Sequence, residues 1–258
     1  MTKNPFLIAA LLIFVVLLLG GLYAIGPSLS LAPTIEPMAP IESIENIEPG
    51  GNDVSSSTDP LQLAPVYKTT LTTQFWVGEV SDESNGFIPN HESYWDDQWM
   101  QHFGGVDDPE CRKGFYPCGF TPKENPFYVA LPYGEYEEES DGLTLKSSTR
   151  LIPWFSPESS QELLKNRWVE VRYGNKTCYG QWQDVGPFLT DDFTYVFGSD
   201  APHNTFGVGA GLDVSPALWD CLGLTTNEIT KWRFVSASEV PAGPWKEIIT
   251  TRGVSWGQ

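Results

Sequence analysis

The sequence predicts a mainly β domain over residues 66–258, with a few short helices, carried behind a single N-terminal transmembrane helix. Three observations lead there. From Tyr67 onward, β-branched and aromatic residues alternate between punctuating Gly, Pro and Asn residues, which is the signature of short half-buried strands. Lys176 to Asp184 is the clearest such run, with Cys178, Gly180, Trp182 and Asp184 on one side and Thr177, Tyr179, Gln181 and Gln183 on the other. Ahead of the domain, Phe6 to Ile25 is a stretch of 20 residues without a charge. At about 1.5 Å per residue it is long enough to cross a hydrocarbon core of about 30 Å.

Taken in order, residues 1–25 read as a membrane anchor or signal segment. Lys3 is the only charge before the apolar run, which leaves the N-terminus inside and the rest of the chain outside. Leu22 fits poorly into a small-x-small cleavage site ending at Ala24, which favours an uncleaved anchor over a cleaved signal. The domain is exported either way: it stays at the membrane, facing the periplasm or cell surface, or it is secreted if the segment is cleaved. Residues 26–65 hold seven Pro, six Asp or Glu and no Lys or Arg, so they read as a disordered spacer.

Leu71 to Val80 is expected to be the first strand, followed by an irregular acidic insertion from Ser81 to Glu124. Within it, only Tyr94 to Phe103 suggests a helical turn or two, with Trp95 and Trp99 on one face. Pro126 to Pro132 returns to strand, Glu135 to Asp141 reads as a charged loop, and Ser156 to Lys165 as a capped short helix. Trp168 to Tyr173 is the next strand, turning through Gly174-Asn175 into Lys176–Asp184. That strand ends at Val185-Gly186-Pro187, which no central strand continues through. After a long loop, Ser215 and Pro216 supply the N-cap and first residue of a helix that Gly223 ends.

Composition excludes several functions. The net charge of -18 and pI near 4.4 leave no Lys/Arg cluster for nucleic acid or for anionic lipid. No phosphate loop or Gly-x-Ser-x-Gly is present, so nucleotide binding and nucleophilic hydrolysis have no support. The three His residues lack metal-ligand spacing, and no metal or cofactor is expected. Asp107-Asp108 and Asp191-Asp192 read as solvated acidic turns rather than calcium sites. The four Cys suit an exported protein. Cys111 and Cys118 bracket a short loop and are expected to close it, which leaves Cys178 and Cys221 as a second pair. The other reading of Cys178 and Cys221 is as two small buried apolar side chains.

Several segments together suggest a relative. A strand ending in Asp184-Val-Gly-Pro-Phe188, a loop, then Leu212-Asp213-Val-Ser215 opening a helix, resembles the RlpA-like double-psi β-barrel of bacterial envelope proteins and its expansin relatives. Thr73-Gln-Phe-Trp-Val-Gly78 looks like that family's first strand and Val129-Ala-Leu-Pro-Tyr-Gly134 like its Leu-Pro turn. Trp168–Tyr173 and Lys231–Val235 are similar to two later strands. The resemblance covers roughly the last three quarters of the chain. It implies a six-stranded double-psi β-barrel with long loop insertions, acting on a cell-wall polysaccharide, most plainly peptidoglycan.

On that resemblance, Asp213 falls at the position of the expansin and endoglucanase acid and Asp184 at the Asp of the Asp-x-Gly-Pro motif. Glycosidic cleavage needs a protonated carboxyl for the leaving oxygen and a second group for the oxocarbenium-like centre. Two Asp at one cleft raise each other's pKa, which keeps one protonated near neutrality. Asp213 and Asp184 are therefore the candidate catalytic pair. Trp76, Tyr128, Tyr179, Trp182 and Tyr195 are the candidates for stacking on sugar rings. The chain also departs from the family. The transglycosylase His falls at Tyr128, the family's upstream Asp falls near Thr121, and the Arg before Gly-Pro is Val185. Those departures favour the alternative, a non-catalytic glycan- or protein-binding envelope module on the same barrel.

Overall fold

A computed structural model describes residues 66–255, apart from 141 and 160–161. The apolar stretch 6–25 and the spacer 26–65 lie outside the described residues. No helix among the described residues is long and apolar enough to cross a membrane.

In chain order the elements begin with strand β1 (Lys68–Gln74) and helix α1 (Trp99–Phe103), then the short hairpin β2 (Arg112–Lys113) and β3 (Tyr116–Pro117). Strand β4 (Tyr128–Leu131) precedes a second hairpin, β5 (Tyr136–Glu139) and β6 (Gly142–Leu145), and a 3-10 turn at Ser147–Leu151. Next come β7 (Trp168–Tyr173), β8 (Lys176–Val185), α2 (Phe193–Val196), β9 (Leu212–Val214), α3 (Pro216–Leu222) and β10 (Glu228–Val235), with a last 3-10 turn at Pro244–Lys246.

Six strands close into a barrel in the order β1-β10-β7-β8-β4-β9. β1 with β9 and β4 with β8 run parallel; the other neighbours are antiparallel. Alternation decides which side chains fill it. Val129, Leu131, Val169, Val171, Trp182, Leu212, Val214 and Trp232 belong to the principal core and are fully buried. A second, smaller core forms where the insertion covers the sheet: Phe75, Val77, Trp99, Phe103, Tyr128 and Ala130. Trp95 and Trp99, expected on one helical face, divide between these cores because α1 begins only at Trp99.

Some boundaries differ from the sequence reading, each for a local reason. β1 ends at Gln74 rather than Val80, because the chain turns at Val77-Gly78 with Gly78 at φ 79. The charged Glu135–Asp141 stretch contains β5, paired to β6, where a loop was expected. Among the described residues of 156–165 no helix forms. The helix after Ser215 forms as read, with Ser215 Oγ accepting from the Leu218 N–H at 3.2 Å and Gly223 at φ 70. Both expected disulfides are present, Cys111–Cys118 and Cys178–Cys221, and no Cys is free.

Candidate functional site

The site is built on one alanine. Ala130 in β4 is the register partner of Asp184 in β8 on one side and of Asp213 in β9 on the other. Paired residues project to the same face of a sheet, so both carboxylates stand beside the small Ala130 side chain. Their Cα atoms are two strand spacings apart, roughly 10 Å. A methyl group added at Gly186 would lie 3.9 Å from Asp213 Oδ2 and 3.9 Å from Ala130 Cβ, so the Gly186-Pro187 turn borders the same place.

A β-bulge aims Asp184 there. Strict alternation puts Asp184 on the side of Trp182, inside the barrel. Val129 pairs with Trp182 but Ala130 pairs with Asp184, so Gln183 is passed over and the face changes at that point. The expectation that Cys178, Gly180, Trp182 and Asp184 share one side therefore fails at its last residue.

Each carboxylate has a distinct setting. Asp184 Oδ1 accepts the Tyr94 N–H at 2.7 Å and the Val185 N–H at 2.8 Å. Burial nevertheless pushes its pKa up to about 7; the two N–H donors oppose that rise and the charge of Asp213 adds to it. Asp213 Oδ1 accepts a short hydrogen bond from the Thr73 hydroxyl of the parallel neighbour β1. Burial raises it to about 6, with the Thr73 bond opposing. The Ser215 hydroxyl, not Asp213, caps α3.

A third carboxylate joins them. Glu79 is 6% exposed, and its Oε2 accepts from Asn90 Nδ2 at 2.7 Å. Burial raises it to about 7, and repulsion from Asp213 contributes. Glu79 and Tyr94 carry no motif signal, and Thr73 entered only as the start of a strand, so the sequence reading gave none of them a role at the site. The partnerships that matter join residues 90 and 140 positions apart in the chain.

The candidate stacking residues fare differently. Tyr128, Trp182 and Tyr195 are buried to 1% exposure or less. The Tyr128 hydroxyl donates to Asp107 Oδ2 and accepts the Val77 N–H, both at 2.9 Å. Trp182 Nε1–H donates to the Asp184 carbonyl, and the Tyr195 hydroxyl accepts from Trp232 Nε1–H. These three rings are core, with no open face for a sugar, because their polar tips are satisfied internally. Trp76 and Tyr179 are half-buried. Tyr179 packs on Trp245 with centroids 5.0 Å apart and sits five residues before Asp184 on β8, roughly 16 Å along the strand.

Each acidic turn is solvated at one residue only: Asp108 and Asp191 are exposed, whereas Asp107 and Asp192 are buried. Asp107 pairs with Arg112 and Tyr128, and Asp192 holds His203 by its backbone N–H and its Nδ1, at 2.8 and 2.7 Å. No group of three or more potential ligands is arranged for a metal among the described residues. No protein-family model matches the chain, and no curated protein matches it.

Proposed function

We propose that this is a double-psi β-barrel domain, exported and tethered by its N-terminal segment, that acts on a cell-wall polysaccharide through Asp184 and Asp213. The observation that carries the reading is their placement on either side of Ala130, on one face, with pKa values raised to about 7 and about 6. Near neutrality such a pair holds one proton between its members. The protonated carboxyl donates to the glycosidic oxygen as the bond to the anomeric carbon breaks, and the ionised one stabilises the positive charge developing on the sugar; a hydroxyl, from water or from the sugar's own C6, then adds to the anomeric carbon and returns its proton to the pair. Parallel β1–β9 and β4–β8 pairing and the Gly186-Pro187-Phe188 turn support the barrel assignment. Peptidoglycan is the polysaccharide the resemblance favours.

A second reading, a glycan- or protein-binding module without cleavage, has its own observation. The family's His position is Tyr128, whose hydroxyl is fully buried between Asp107 and Val77, so it exchanges no proton with a ligand.

The test is to incubate the protein with purified peptidoglycan and, separately, with cellulose, and to look for new reducing ends or anhydro-sugars by mass spectrometry. Products from wild type that vanish in Asp213→Asn and Asp184→Asn support cleavage. Binding without products in any of the three supports the module.

A further inference from the structure

Three loops converge beside the carboxylates and expose apolar rings. Phe188 directly follows the Gly186-Pro187 turn that borders Asp213, and its ring lies 4.3 Å, centroid to centroid, from that of Phe206. Gly86 packs against both: a Cβ there would lie 3.0 Å from Phe188 Cε1 and 3.1 Å from Phe206. The residue after Gly86, Phe87, is 69% exposed, and Phe206 is 48% exposed.

This patch is held in place by its own hydrogen bonds. Asn204, 5% exposed, accepts the Phe206 N–H with Oδ1 and donates from Nδ2 to the Ala210 carbonyl, each at 2.9 Å. The Phe87 N–H bonds the Asp82 carbonyl at 2.7 Å, while the Asp82 side chain accepts from the backbone of Ser84 and Asn85. Phe87 and Phe188 both stand at positive φ, 62° and 60°, a conformation bulky residues rarely adopt. Exposed aromatic rings on strained, well-tied backbone are a feature of binding sites rather than of solvent-facing loops.

Charge decides what would bind. Residues 69–111 and 177–230, which supply Asp184, Asp213 and all three loops, contain no Lys or Arg. Lys146, which reaches the Phe188 loop from outside these segments, gives its Nζ to the Thr190 carbonyl, and Asp82 and Glu83 in the first loop would repel an anionic ligand, whether a phosphate polymer, an acidic lipid or an acidic peptide. A hexopyranose face presents C–H groups to a ring and needs no cation.

We propose that Phe87, Phe188 and Phe206 form a stacking subsite for an uncharged hexopyranose unit of the chain whose neighbouring linkage lies at Asp184 and Asp213. The subsite rests on the reading of that pair as glycan-acting. It replaces the buried Tyr128, Trp182 and Tyr195 as the aromatic binding surface.

The test uses full-length protein in mild detergent, sedimented with insoluble peptidoglycan, chitin and cellulose. Phe87→Ala/Phe206→Ala is expected to weaken binding about ten- to hundredfold on the glycan that wild type binds, with an unchanged thermal transition and with recovery in Phe206→Trp. Asp213→Asn is expected to keep binding and lose products. If wild type binds and the double variant binds equally, the subsite is wrong while the function stands. If wild type neither binds nor cleaves any of the three, both fail. If sedimentation velocity shows a concentration-dependent dimer that the double variant abolishes, the patch is a contact between copies and the proposal is overturned.

Discussion

Asp184 and Asp213 carry opposite demands from folding and from chemistry. A carboxyl raised by burial is neutral in the folded protein at a pH where the unfolded chain is already ionised. Its stabilising effect is complete below about pH 4 and is lost as pH rises through the folded values, about 7 and about 6. Asp184→Asn is therefore expected to raise stability at pH 7, on the order of 1–3 kcal/mol, while removing cleavage. Asn can still accept the Tyr94 and Val185 N–H bonds, so the fold is kept. Chemical denaturation beside product analysis reads both; a destabilised variant would mark Asp184 as a structural residue. Thr73→Val removes the donor that favours ionised Asp213. A hydrogen bond of about 1 kcal/mol corresponds to somewhat under one pH unit, so the lower limb of the pH–activity profile is expected to move up by about half to one unit.

At the scale of elements, the insertion positions the site through Tyr94. Its N–H holds Asp184, its hydroxyl donates to the Tyr136 carbonyl, and its ring lies on Gly134. A Cβ at Gly134 would fall 2.3 Å from the Tyr94 ring, so Gly134→Ala displaces the ring and draws the N–H away from Asp184. The expected cost is about 1–3 kcal/mol of stability together with lost activity, checked by denaturation and product assays. The Cys178–Cys221 bridge ties β8 to α3 across a sequence separation of 43. Removing it with paired Ser substitutions is expected to cost about 2–4 kcal/mol, because the unfolded chain regains that loop's freedom.

At the scale of the molecule, burial raises seven carboxyls among the described residues, Glu79, Asp107, Glu124, Glu135, Asp184, Asp213 and Asp220, and these share the same sign of pH dependence. Glu79 and Glu135 are each raised by burial to about 7, as is Asp184, and Asp213 to about 6. Stability is expected to fall between about pH 4 and pH 7, each group contributing up to about 1.4 kcal/mol per pH unit across its own window. Glu170 works the other way. Its bonds to Tyr67, Arg172 and Arg233 oppose a large burial effect and hold it below its ordinary value, so its contribution is lost on acidification. A denaturant midpoint that rises from pH 4 to pH 7 would contradict this balance. The two closed disulfides agree with an oxidising compartment, and the full-length chain is expected to sediment with membranes through residues 6–25. A soluble form beginning near Ile25 would show that segment to be cleaved.

What the sequence determined by itself was local. Alternation placed β7 and β8, Gly174-Asn175 marked their turn, Ser215-Pro216 and Gly223 bounded α3, and cysteine spacing paired Cys111 with Cys118, which left Cys178 and Cys221 as the remaining two. Each of these depends on residues a few positions apart or on a simple count. Tertiary structure decided which side chains meet. The bulge at Gln183 turned Asp184 toward Ala130, a strand pairing brought Thr73 to Asp213, and a turn delivered Glu79 beside them. The same closure buried Tyr128, Trp182 and Tyr195 and left Phe87 and Phe206 exposed, because aromatic content is a property of composition but exposure depends on which neighbours the barrel brings.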